Sequence, residues 1–117
     1  MAPKFGTSGL RGLVAELTDD LCARYLRAFL RASGTERGVL MLGGDLRPST
    51  PRLMAAAAGA AADLGWQVVD CGALPTPALA LAAARRGAAA VMVTGSHIPA
   101  DRNGLKFYMP GGGEITK

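Results

Sequence analysis

Ser96 has the richest chemical surroundings in the chain. It follows an uninterrupted apolar run, Ala88–Val93, and a Thr94-Gly95 step; His97 is next to it, and Arg102 and Lys106 lie close behind. An apolar run of that kind reads as a strand buried on both faces, as at the centre of a parallel sheet. Gly95 lets the backbone turn sharply and presents Ser96 just beyond the strand's carboxyl end. That edge is where open α/β sheets bind ligands. A serine there is a hydroxyl exposed to chemistry in a cationic setting. The simpler alternative is a Gly-Ser turn leading into a loop that contains Pro99. A hydrolytic nucleophile fits poorly: Gly95-Ser96-His97 lacks the Gly-x-Ser-x-Gly elbow, and the single histidine adjoins the serine in sequence.

Other polar residues fall into supporting patterns. Thr7 and Ser8 lie between Gly6 and Gly9, where backbone N–H groups can meet a phosphate or simply make a turn. Asp45 follows an apolar strand, a position from which aspartate anchors the next turn through its own backbone; with Arg47 it is expected to form an ion pair supporting the serine loop. Asp101, Asn103 and Gly104 shape the end of that loop, with Asn103 or Gly104 expected in a left-handed conformation. Arg102 and Asn103 are also candidates for contact with a phosphate.

These residues need a scaffold, and the periodicity supplies one. Thr18 can cap a helix opening on Asp19-Asp20, whose charges suit its positive end. Leu21, Tyr25, Leu26, Phe29 and Leu30 repeat at helical spacing up to Gly34, with Arg24, Arg27 and Arg31 on the opposite, solvated face. Val39–Leu42 is a short buried strand. Ser49 or Thr50 caps a second, alanine-rich helix with Pro51 in its first turn. Gln67–Asp70 is another strand, and Thr76-Pro77 open a third helix running to Arg86-Gly87. Leu105–Met109 reads as a strand, and Pro110–Gly113 as a turn into a hairpin ending at Glu114–Thr116. Strands alternating with helices imply βαβ units with right-handed crossovers. The expected fold is a three-layer α/β/α sandwich with a mostly parallel four-stranded mixed sheet, the last strand antiparallel.

At 117 residues the chain fits one domain. Half of it is hydrophobic, with few aromatics, so its core is built from small side chains. The net charge of +4 favours anionic partners. The basic residues are scattered, without interleaved aromatics, which argues against nucleic acid. No apolar leader is visible, and no apolar run approaches the roughly 20 residues that span a bilayer, so no membrane partner is expected. Cys22 and Cys71 have no metal or redox spacing and read as buried thiols of a reducing cytoplasm.

Four segments in order resemble the α-D-phosphohexomutase family of phosphomannomutases and phosphoglucomutases. Phe5-Gly-Thr-Ser-Gly-Leu-Arg-Gly12 is similar to its amino-terminal signature. Gly43-Gly-Asp-Leu-Arg-Pro-Ser49 resembles its Gly-x-Asp-x-Arg-x-Ser segment, and Gly72–Pro77 the stretch before its third helix. Thr94–Lys106 resembles its phosphoserine loop, with Ile98 where the family usually has asparagine. The resemblance implies the first of four domains, covering 1–117 and bearing the phosphoserine, with domains II–IV outside this chain. It implies an intramolecular phosphotransferase that moves phosphate between the 6- and 1-positions of mannose or glucose phosphate through a bisphosphate. Ser96 would be the phosphate carrier, Lys106 a general acid/base, Arg11 a cation near the phosphoryl group, and His97 an orienting group; Thr7, Ser8, Arg102 and Asn103 would bind phosphate. Mg²⁺ would be held by the Ser96 phosphate and by aspartates of the second domain, with hexose 1,6-bisphosphate as activator. The chain by itself is expected to be inactive. The alternative is a non-catalytic anion-binding or interaction module with the mutase fold.

Overall fold

A computed structural model describes residues 3–6, 9–35, 37–95, 101–111 and 113–115. Three helices and six strands alternate along it: β1 (Lys4–Gly6), β2 (Gly9–Leu13), α1 (Asp19–Ala32), β3 (Val39–Gly44), α2 (Thr50–Asp63), β4 (Gln67–Ala73), α3 (Thr76–Arg86), β5 (Ala89–Val93) and β6 (Arg102–Tyr108). Helix α1 starts as its sequence requires, with the Thr18 side chain accepting from the Leu21 N–H at 3.1 Å. Helix α2 has Pro51 in its first turn, but Ser49, at its N-cap position, makes no side-chain capping hydrogen bond; its hydroxyl accepts from Asn103 instead. Gly87 ends α3 in the left-handed region, φ 67°, a conformation glycine adopts without penalty.

The strands form one sheet in the order β1-β2-β6-β5-β3-β4. The expected four-stranded unit is present: β4, β3 and β5 run parallel and β6 antiparallel to β5. The sheet is nevertheless six strands wide, because the amino-terminal signature forms two further strands: β2 pairs antiparallel with β6, and β1 antiparallel with β2. Its glycines obscured the strand pattern in the sequence. Strand β6 starts at Arg102 rather than Leu105. Of the expected hairpin partner Glu114–Thr116, the described residues form one isolated bridge, Tyr108 to Glu114, and Thr116 lies outside them. Asn103 and Gly104 are extended strand residues, not left-handed turn residues, since Gly104 pairs with Arg11 in the ladder.

Strand alternation divides the core. Leu10, Leu40, Leu42, Val91, Val93, Leu105 and Phe107 face α1 and α2. Met41, Ala90, Met92 and Tyr108 face the side of α3, which packs mainly over β3 and β5. Cys22 is fully buried, and desolvation pushes its thiol up to about 11. Cys71 is only half-buried, because β4 is the edge strand. Among the described residues, no helix is long and apolar enough to cross a membrane.

Candidate functional site

The chain leaves β3 through α2 to reach the edge strand β4, then returns through α3 past β3 to β5. The strand order therefore reverses between β3 and β5, and the crevice outside their carboxyl ends is where such sheets bind ligands. Two loops meet there, Asp45–Ser49 after β3 and the segment beginning Thr94-Gly95 after β5. Ser96 and His97 lie outside the described residues, as do Thr7 and Ser8 between β1 and β2. The backbone on either side of the serine segment is described and tightly held.

Asp45 anchors the outgoing side. Its N–H donates to the Val93 carbonyl at 2.9 Å, and its Oδ2 accepts from the Gly95 N–H at 2.9 Å. Its Oδ1 accepts from the Arg47 N–H at 3.1 Å and from the Thr50 hydroxyl at 2.6 Å. The Arg47 Nε stands 3.3 Å from Oδ2, completing the expected ion pair. The Arg47 guanidinium covers Gly95 so closely that a β-carbon there would collide with it; only glycine fits beneath that group. Arg47 also reaches the returning side, its Nη1 donating to the Arg102 carbonyl at 3.1 Å.

Burial alone would push the Asp45 carboxyl up. Hydrogen bonds from the Thr50 side chain, the Gly95 and Arg47 N–H groups and the Thr94 side chain outweigh it and hold Asp45 below the ordinary carboxylate range. With its pKa depressed in the folded state, the unfolded chain takes up the proton first. The stability Asp45 contributes is therefore complete above the unfolded value of about 4 and drains away as pH falls towards the folded value. Urea unfolding between neutral and acid pH is expected to show a deficit for Asp45→Asn at pH 7 that shrinks below about pH 4. A pH-independent deficit would contradict the assignment.

The cations gather on the opposite side of the crevice. Arg11 pairs with Gly104, and Lys106 with Met92. Because residues 102, 104 and 106 alternate onto one face of β6, Arg102, Lys106 and Arg11 share the α3-side face of the β2–β6 pair. All three are half-buried. A β-carbon on Gly104 would stand 2.9 Å from Cγ of Arg11, so the missing side chain gives the arginine stem room over β6. Arg11, opposite Gly104, is thus flanked on this face by Arg102 on one side and Lys106 on the other.

Asn103 has a different place from the one expected of a phosphate ligand. It is fully buried; its Nδ2 donates to Ser49 Oγ at 2.8 Å and to Thr50 Oγ1 at 3.1 Å, and its Oδ1 accepts from the Gly104 N–H at 2.8 Å. Alternation turns it away from the cationic face. Thr50 and Thr94, both buried, were missed as site residues. Thr50 reads in sequence only as a helix start, and nothing in its spacing points to residues half a chain away.

Residues 2–117 match the family model described as phosphoglucomutase/phosphomannomutase, alpha/beta/alpha domain I. A phosphomannomutase of Sinorhizobium fredii (strain NBRC 101917 / NGR234) is 52% identical over 123 residues, covering 100% of this chain and 26% of that protein. A phosphomannomutase of Salmonella muenchen is 49% identical over 118 residues, covering 97% and 24%. Among solved structures, a phosphoglucomutase/phosphomannomutase family protein from Burkholderia thailandensis superposes with a TM-score of 0.78 at 34% identity, over 92% of this chain and 26% of that one. The chain spans about a quarter of the length of the curated relatives it matches.

Proposed function

Because the chain belongs to the phosphoglucomutase/phosphomannomutase family and corresponds to its domain I, we propose that it is the phosphoserine-bearing domain of a cytoplasmic hexose-phosphate mutase. In this reading the other three domains lie outside the chain, and the domain alone does not turn over. The observation that carries the proposal is a clamped turn leading into Ser96 at the β3/β5 switch point, next to strands β2 and β6 whose Arg11, Arg102 and Lys106 share one face.

The free hydroxyl of a mannose or glucose monophosphate attacks the phosphorus on Ser96. The Oγ–P bond breaks as the new O–P bond forms, and a hexose 1,6-bisphosphate results. Lys106 exchanges the hydroxyl proton, and Ser96 Oγ is left as the alcohol. Reversal at the sugar's other phosphate returns the phosphoryl group to Ser96. Transfers of this kind depend on alignment and on neutralising charge on the equatorial oxygens, which is the work assigned to Arg11 and Arg102. His97, Thr7 and Ser8 are proposed to orient the phosphate.

The family resemblance also implies Mg²⁺. Among the described residues no group of three His, Cys, Asp or Glu side chains could hold a metal ion, and both oxygens of Asp45 are engaged by Gly95, Arg47 and Thr50. These residues do not by themselves fit the ion, and no step above runs through it.

The test is covalent. After incubation of the complete mutase with glucose 1,6-bisphosphate, mass spectrometry of the tryptic peptide 87–102 should find one phosphoryl group, on Ser96. An unmodified peptide under turnover conditions would overturn the carrier assignment. It would favour the second reading, a non-catalytic module whose Arg11, Arg102 and Lys106 face holds an anion without chemistry.

A further inference from the structure

We propose that Thr50 and Asn103 are positioning residues for the phosphoryl carrier, forming a buried hydroxyl–amide relay that sets the span of the loop bearing Ser96; the proposal rests on the reading of Ser96 given above. The serine segment departs from β5 at Thr94-Gly95 and returns at Asp101-Arg102. On the way out, the Thr94 N–H donates to the Gly104 carbonyl at 2.9 Å, and the Gly95 N–H donates to Asp45. On the way back, Asn103 is tied to Ser49 and Thr50 at the start of α2.

Thr50 joins the two sides. Its hydroxyl donates to Asp45 Oδ1 at 2.6 Å and accepts from Asn103 Nδ2 at 3.1 Å. The direction of these bonds is dictated by chemistry: a carboxylate only accepts, and an amide NH₂ only donates. The single hydroxyl proton must therefore go to Asp45, and the order Asn103 to Thr50 to Asp45 admits no reversal; the Gly95 N–H donates into the same carboxylate from the other side. The two bonds from Asn103 through Thr50 to Asp45 run in one sense and reinforce one another. Thr50 is 2% exposed and Asn103 is 0% exposed, so water does not take over when a member is lost.

The relay is a buried polar element beside the apolar cluster that includes Leu53 and Leu105. It connects the two described ends of the serine segment to the first turn of α2. In-line transfer is sensitive to placement, and a shift of about 1 Å at the reacting group costs roughly 10²-fold in rate. A relay that sets the loop's span therefore controls turnover more than it controls substrate affinity.

The decisive variants are Thr50→Val, which keeps the shape and removes the hydroxyl, and Thr50→Ser, which restores it. Two readouts are measured at a temperature where every variant is folded. The first is amide hydrogen exchange of Gly95 in the 117-residue chain; the second is kcat and KM of the complete mutase carrying this domain, with glucose 1-phosphate. Thr50→Val is expected to speed Gly95 exchange by at least about tenfold and lower kcat by about 10- to 100-fold, with KM within about twofold. Thr50→Ser should return both towards the parent values. Unchanged exchange and turnover in Thr50→Val would overturn the proposal, as would a loss that Thr50→Ser fails to recover. If the parent enzyme carries no phosphate on Ser96, the functional reading fails and the carrier role of the relay fails with it. Exchange at Gly95 still decides whether Thr50 holds the loop, so the two failures are distinguishable.

Discussion

Replacing Ser96 with alanine in the complete mutase should lower turnover by at least about 10³-fold while leaving the fold intact. The change deletes one hydroxyl and leaves every residue of the two described apolar clusters in place, so the thermal midpoint should move little. The loss should be deep because the proposed route passes the phosphoryl group through that oxygen in both half-reactions. No neighbouring group replaces a covalent carrier by proximity alone. Lys106→Ala offers a graded comparison: a proton-transfer residue contributes roughly 10²–10⁴-fold, and here the carrier would still be able to accept phosphate. Initial-rate assays with glucose 1-phosphate, paired with phosphopeptide analysis, separate the two. Turnover of Ser96→Ala within about tenfold of the parent would end the carrier assignment.

The largest effect on stability is expected at Phe107, one residue along β6 from Lys106 and pointing to the opposite face. Phe107 is 1% exposed. Its ring centroid lies 5.1 Å from that of Phe29 and 5.9 Å from that of Phe5, and Phe5 stacks in turn on Tyr25 at 5.9 Å. This small aromatic cluster ties β1 and β6 to α1 in a core otherwise rich in alanine and leucine. Phe107→Ala should cost about 3–5 kcal/mol, a transfer loss plus an unfilled cavity. That is a large share of the roughly 5–15 kcal/mol that holds a domain together. Phe107→Leu should cost less than half as much, since most of the apolar volume remains. Urea unfolding followed by circular dichroism measures both, and a Phe107→Ala loss under about 1 kcal/mol would mean that the cluster is not packed as described.

Periodicity in the sequence was enough to place all three helices, because a 3.6-residue apolar repeat, a Thr18 cap and a Gly87 stop are local signals that need no partner. The central buried strand was legible as well: Ala89–Val93 is short, apolar at every position and closed by Gly87 and Gly95, as a strand covered on both faces is. The Asp45–Arg47 pair was also within reach, since an aspartate after a strand bonds its own turn two residues on. What the sequence left open are the relations across long separations. Gly6 and Gly9 hid the β1–β2 extension, whose partner β6 comes about ninety residues later. Asn103 looked like a loop residue available to a phosphate, and only its register against Gly12 turned it inward onto Ser49 and Thr50. Local chemistry determined which elements form and where a hydroxyl could be offered. Strand pairing decided which faces the polar side chains occupy, because a shift of one residue in register exchanges a cation on an open face for an amide in the core.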